Sequence, residues 1–132
     1  MTYYEKELHE IRSVVYANKG QLATVIGIRN YIDSNYHTHL NLDVLSRVQG
    51  VSKYHMVRLF KKYYGQTPRQ YVIDKRIEKA KEQLTNGTSV TETCYAVGFE
   101  SLSSFSTLFK LKTGTAPSEF QKKQLSRSEL PA

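Results

Sequence analysis

The chain has 132 residues, 19 basic and 12 acidic, for a formal charge of +7. At roughly 150 residues per domain that is one compact unit, or two very small ones, and a 39% hydrophobic share marks a globular chain. A single cysteine excludes an internal disulfide framework and suits a reducing compartment, no apolar run approaches the roughly 18 residues of a membrane span, and the start of the chain has no secretory pattern.

In chain order, residues 3–18 read as a helix, with Tyr4, Leu8, Ile11 and Val15 at three- and four-residue spacing and Asn18-Lys19-Gly20 as its stop. A second helix is expected over about 21–35, with Leu22, Val25, Ile26, Arg29 and Ile32 on one stripe. After a polar loop, Asn41 can cap a short helix to about Gln49 that carries Leu42 and Leu45 inward, and Gly50 breaks it. Ser52 caps the next helix, which ends at Gly65. Thr67-Pro68 opens a longer helix through Leu84, stopped by Asn86-Gly87. Ser89-Val90-Thr91-Glu92 is a capping box for a short helix ending at Gly98. Ser101 caps a helix to about Lys112, stopped by Gly114; Pro117 opens the last one, and the tail from Ser126 is expected to fray. No segment alternates as a strand does, so the class is all-α.

The chain repeats itself, and repeats organise a fold. Phe60-Lys61, Gly65, Pro68 and Tyr71 match Phe109-Lys110, Gly114, Pro117 and Phe120, a shift of 49 residues. Ser52, Met56 and Leu59 match Ser101, Phe105 and Leu108 at the same shift. Each repeat reads as short helix, glycine turn, longer helix, which is a helix-turn-helix. The turn needs glycine where φ is positive, and Ser46 and Cys94 are the small residues where the two helices cross. Met56, Leu59 and Phe60 in one repeat, and Phe105, Leu108 and Phe109 in the other, turn inward. The opposite side is free to enter a major groove, which admits a helix.

In the first repeat that free side holds Lys53, Tyr54, Val57, Arg58 and Lys61. Arg58 can reach guanine with two hydrogen bonds and Val57 a thymine methyl, whereas Lys53, Lys61 and Lys62 suit phosphates. In the second it holds the shorter Leu102, Ser103, Ser106 and Thr107, with Lys110 and Lys112 for phosphates. The first unit is therefore expected to supply more affinity and discrimination. Charge agrees. Residues 1–20 balance Lys6, Arg12 and Lys19 against Glu5, Glu7 and Glu10, so the whole excess lies in 21–132. From Val44 to Ile73 there are Arg47, Lys53, Arg58, Lys61, Lys62 and Arg69 and no acid. A field of one sign draws in a polyanion.

These strings resemble the AraC/XylS family of bacterial transcription regulators. The resemblance runs from Ser52 through Lys62 to Gly65-Gln66-Thr67-Pro68, and again from Val97-Gly98-Phe99-Glu100-Ser101 through Phe105, Phe109-Lys110, Gly114 and Pro117. It covers about residues 22–123. It implies a first helix-turn-helix at about 42–64, a connecting helix at about 68–84 and a second helix-turn-helix at about 90–113, with 1–20 a helix or linker and 124–132 a tail. It implies reading of adjacent major grooves about one helical turn apart, in the cytoplasm on the nucleoid, often with a contact to RNA polymerase. The base readers it implies are Tyr54, Val57 and Arg58, then Leu102, Ser103, Ser106 and Thr107. Thr107 stands where the family commonly has arginine, Leu102 where a polar residue is frequent, and Ala116 where a capping hydroxyl is usual.

Other features read as structure. Cys94 is expected to pack, and Tyr71 and Phe120 to sit in the core. Glu100 is a candidate capping acid. His37 and His39 share a loop with no third ligand, so no metal or cofactor is expected, and no catalytic constellation is present. A non-specific architectural DNA binder and a protein-interaction module are the competing functions. With two readers in one chain, a monomer on an asymmetric site is expected. The stripe of the first helix could pack on the core, pair with a second copy or end a linker.

Overall fold

The structure is a computed structural model and describes residues 2–129. Its helices are α1 (Tyr3–Asn35), α2 (Leu42–Val48), α3 (Lys53–Tyr64), α4 (Pro68–Thr85), α5 (Val90–Ala96), α6 (Leu102–Thr113) and α7 (Pro117–Glu129). Among the described residues no strand occurs and no helix is long and apolar enough to cross a membrane.

The two helices expected over 3–35 are one. Gly20 is absent from the glycines with positive φ, and its carbonyl accepts a hydrogen bond from Thr24 Oγ1 at 3.0 Å. A glycine costs a helix only about 1 kcal/mol relative to alanine, and helix-forming neighbours on both sides outweigh it. Of the tail expected to fray from Ser126, α7 takes in the residues to Glu129, and the remaining three lie outside the described residues.

The chain divides into two units, one of Met1–Tyr31 with Leu42–Pro68 and one of Ile32–Asn41 with Arg69–Ala132. In the first, α2 lies against α3 across the turn at Gly50, whose φ is 67°. Val25 and Ile28 of α1, Leu45 of α2, and Met56, Leu59 and Phe60 of α3 are among its buried side chains. Gly27 on α1 leaves room for the Gln49 side chain, whose Oε1 would lie 2.6 Å from an added Cβ.

The second unit is built on aromatics. Ile77, Ala80 and Leu84 of α4, Cys94 of α5, Val97, Phe99, and Phe105 and Phe109 of α6 form one cluster, with Phe120 against it. Phe99, Phe105, Phe109 and Phe120 follow one another at centroid distances of 5.2, 5.6 and 5.4 Å. Burial of Cys94 raises its thiol pKa above the ordinary value, which keeps it a neutral packing group. Tyr71, half-buried, donates its hydroxyl to Asp33 Oδ1 at 2.7 Å. Gln121 Nε2 donates to the carbonyls of Leu84 and Thr88 at 3.2 and 2.6 Å, closing the C-terminal end of α4.

Arg76 holds this unit's turn. Its Nε donates to the Tyr36 carbonyl at 2.7 Å and its Nη2 to the Thr38 carbonyl at 3.1 Å. The guanidinium also lies over the Phe99 ring, 5.7 Å from the centroid. Desolvation lowers its pKa, and Glu100 partly offsets that. Gly98 passes beside this clamp with φ at 108°, and an added Cβ would meet Tyr36 O at 2.8 Å and Arg76 Nε at 2.9 Å.

These surroundings give two glycine substitutions opposite signs. Gly98→Ala should destabilise the chain by about 2 kcal/mol or more, since it combines a strained backbone with a clash. Gly20→Ala meets open space in a helix interior and should stabilise it by about 0.5–1 kcal/mol. Urea unfolding of both variants measures this. A destabilised Gly20→Ala would mean that the helix is interrupted there after all.

Candidate nucleic-acid interface

Each candidate reading helix is fixed at both ends by its own sequence. At the start of α3, the His55 N–H donates to Ser52 Oγ at 3.1 Å. At the start of α6, the Ser104 N–H donates to Ser101 Oγ at 3.1 Å. At the other ends, Gly65 (φ 72°) and Gly114 (φ 87°) turn into the left-handed region. Their N–H groups donate to Lys61 O at 2.9 Å and Lys110 O at 2.8 Å. A serine hydroxyl satisfies an orphan donor of the first turn, and a left-handed glycine an orphan carbonyl of the last.

With both ends pinned, burial decides which side faces out. In α3, Met56, Leu59 and Phe60 are buried. Tyr54, Arg58 and Lys61, at four- and three-residue spacing, form the centre of the exposed face, with exposed Lys53 and half-buried Val57 on one flank and exposed His55 and Lys62 on the other. The Arg58 guanidinium lies 5.5 Å from the centroid of the Tyr54 ring, a cation–π contact that limits the rotamers of an exposed arginine. Lys53 Nζ is 3.7 Å from Asp43 Oδ1, with both side chains more than half exposed; a pair so hydrated contributes little and yields to a phosphate. Lys62 Nζ donates to Gln21 Oε1 at 3.2 Å, which also accepts from Tyr63 Oη at 3.2 Å.

In α6 the register is the same. Phe105 and Phe109 are buried; Ser103, Thr107 and Lys110 are exposed at the positions of Tyr54, Arg58 and Lys61. Leu102 is exposed and Ser106 half-buried on one flank. Lys112 does not join this face. It occupies the position of the half-buried Tyr63, and its Nζ pairs with Asp74 Oδ1 on α4 at 3.0 Å. Leu111, 75% exposed on the other flank, was not expected at the interface, although its place four residues after Thr107 made it readable.

Other partners had no sequence signal. Gln21 lies 41 residues from Lys62 and Asp74 lies 38 from Lys112, and nothing local foretells such pairs. Glu100 does not cap α6; Ser101 does, and Glu100 Oε1 instead meets His39 Nδ1 at 2.7 Å in an exposed pair. Among the described residues no group of three or more His, Cys, Asp or Glu is placed to hold a metal.

Comparison with known proteins agrees with this geometry. A profile of the helix-turn-helix domain matches residues 45–123. The chain is 39% identical over 92 residues to an uncharacterised helix-turn-helix transcriptional regulator in the cgkA 5′ region of Pseudoalteromonas carrageenovora, covering 70% of this chain and 55% of that one. It is 31% identical over 102 residues to the transcriptional activator AarP of Providencia stuartii, covering 76% of each. The DNA-binding domain of the global transcriptional factor AdpA, solved in complex with a target DNA, shares the fold at a TM-score of 0.76 and 21% identity, over 81% of this chain and 97% of that one. The chain spans about half the length of several curated relatives that it matches. Two capped repeats at a fixed shift, matched across residues 45–123 and by a regulator on 76% of its length, place the chain in the AraC/XylS family of helix-turn-helix transcriptional regulators.

Proposed function

We propose that this chain binds double-stranded DNA at a specific sequence and regulates the start of transcription, with α3 and α6 each entering a major groove. The observation that carries this reading is the outward stripe Tyr54, Arg58 and Lys61 on a helix pinned at both ends, inside a stretch from Val44 to Ile73 that has six basic residues and no acid. Arg58 offers two parallel donors to a guanine edge, Tyr54 holds it, and Val57 offers a methyl surface to thymine. Lys53, Lys61, Lys62 and Lys110 reach phosphates and set the register of the protein on the duplex. Lys112, held by Asp74, contributes least.

The second unit reads with less. Leu102, Ser103, Ser106 and Thr107 are short, and hydroxyls accept or donate without bidentate geometry. Its work is positioning, with modest discrimination. Each chain, having two readers, occupies its own asymmetric site, and a bound chain presents its outer surfaces to RNA polymerase. This takes place on chromosomal DNA in the cytoplasm.

Selection of bound duplexes from a random pool tests the reading. The expected product is an asymmetric motif of two short blocks about 10 bp apart. Binding without enrichment would instead identify an architectural binder that uses the same charges without base readout. Within the selected site, Arg58→Ala should weaken binding by about 1–3 kcal/mol and relax one block, since that is the discrimination a bidentate contact supplies. Thr107→Ala should weaken it less. Titration of both variants against the selected site decides the ranking, and the reverse order would make α6 the principal reader.

A further inference from the structure

Residues 3–16 and 18–20 of α1 are exposed, and among the described residues nothing buries their apolar side chains. Tyr4, Leu8, Ile11, Val15 and Leu22 are 68, 37, 60, 45 and 45% exposed, whereas Val25 and Ile28 farther along are fully buried. Their spacing of four, three and four, continued through Asn18 to Leu22, is the heptad repeat of a two-helix seam. An isolated helix of this length is marginal in water, and an apolar stripe along it marks a surface that another chain covers.

Two features identify that chain. Glu7 precedes Leu8 and Arg12 follows Ile11, so they flank the seam on opposite sides. When two copies lie parallel and in register, Glu7 of each faces Arg12 of the other, and no like charges meet. An antiparallel pair over the same length would set Arg12 against Arg12. Asn18 adds the same preference: in a parallel pair it faces Asn18 of the second copy, and each amide can satisfy the other, whereas an antiparallel pair sets it against Leu8. A polar residue in an apolar seam costs least where a polar partner meets it. The segment also balances three acids with three bases, although the chain as a whole carries +7. Two copies therefore approach here without the repulsion they meet elsewhere.

We infer that residues 4–22 pair with a second copy of this chain as a parallel, in-register two-stranded coiled coil. The inference does not rest on the DNA-binding reading, and its test contains no DNA. Sedimentation equilibrium of the whole chain should give twice the 15.2 kDa chain mass at the upper end of the concentration range. Ile11→Glu should return it to a single chain with its core still unfolding cooperatively. Glu7→Arg and Arg12→Glu should each weaken dimerisation about three- to tenfold, and the double variant should restore it. A single-chain mass at every concentration overturns the proposal and leaves the seam to a different partner. A mass of three chains overturns the two-stranded form, and failure of the double variant to restore pairing overturns the parallel register.

Discussion

A helix reads DNA only if its rotation about its own axis is fixed, because a few tens of degrees decide whether an arginine faces a groove or a neighbouring helix. Here that rotation is set by a buried aromatic in the last two turns of each candidate reader, Phe60 in α3 and Phe109 in α6, both fully buried. The caps fix where the helix begins and ends, and the aromatic fixes which way it faces. Phe60 stacks on Tyr64 at 4.8 Å, and Phe109 stands edge-on to both Phe105 and Phe120. Every outward position follows from those anchors by helical spacing alone.

The two units solve the same problem with different chemistry. In the first, the outward face carries charge and an aromatic, and the neighbouring polar partners, Asp43 and Gln21, hold two lysines loosely. In the second, the outward face is nearly neutral while the interior is richer in rings. Arg76 ties the carbonyls of Tyr36 and Thr38 beside Gly98, so the turn leading to α6 is braced by a half-buried charged group. A reader with short side chains gains from such bracing, since hydroxyls reach bases only when the backbone stands close and still.

Much of this was legible because it is local. The serine caps, the left-handed glycines and the spacing of the inward side chains depend on residues within a turn or two of each other, the 49-residue shift repeats that local pattern, and the structure holds them as read. Tyr54, Arg58, Ser103 and Thr107 face outward because Met56, Phe60, Phe105 and Phe109 face in. Reading failed where the deciding energy was not local. Gly20 resembles a stop, yet its weak penalty is overridden by helix on both sides. Lys112 carries no local sign of its partner Asp74, which lies on another helix. Glu100 resembles a cap, but the neighbouring hydroxyl of Ser101 wins and the carboxylate turns to His39. The Arg76 clamp leaves no trace in the sequence, since its acceptors are backbone carbonyls about 40 residues away.

Charge divides the molecule along its length, and that division bears on assembly. Residues 21–132 hold all of the positive excess, and the first twenty are neutral and apolar on one side. Many helix-turn-helix proteins dimerise because one reader is too few, and the second subunit supplies the other half-site. On the proposed reading this chain carries two readers, so pairing through α1 would not complete a site; it would join two complete ones. The gain is then one of effective concentration, set by how far apart the two sites lie and how freely α1 lets each copy reach its own. Dimerisation and sequence reading are in that case separable by substitution, because the residues that serve one, Glu7, Ile11 and Arg12, stand apart in the chain from those proposed to serve the other.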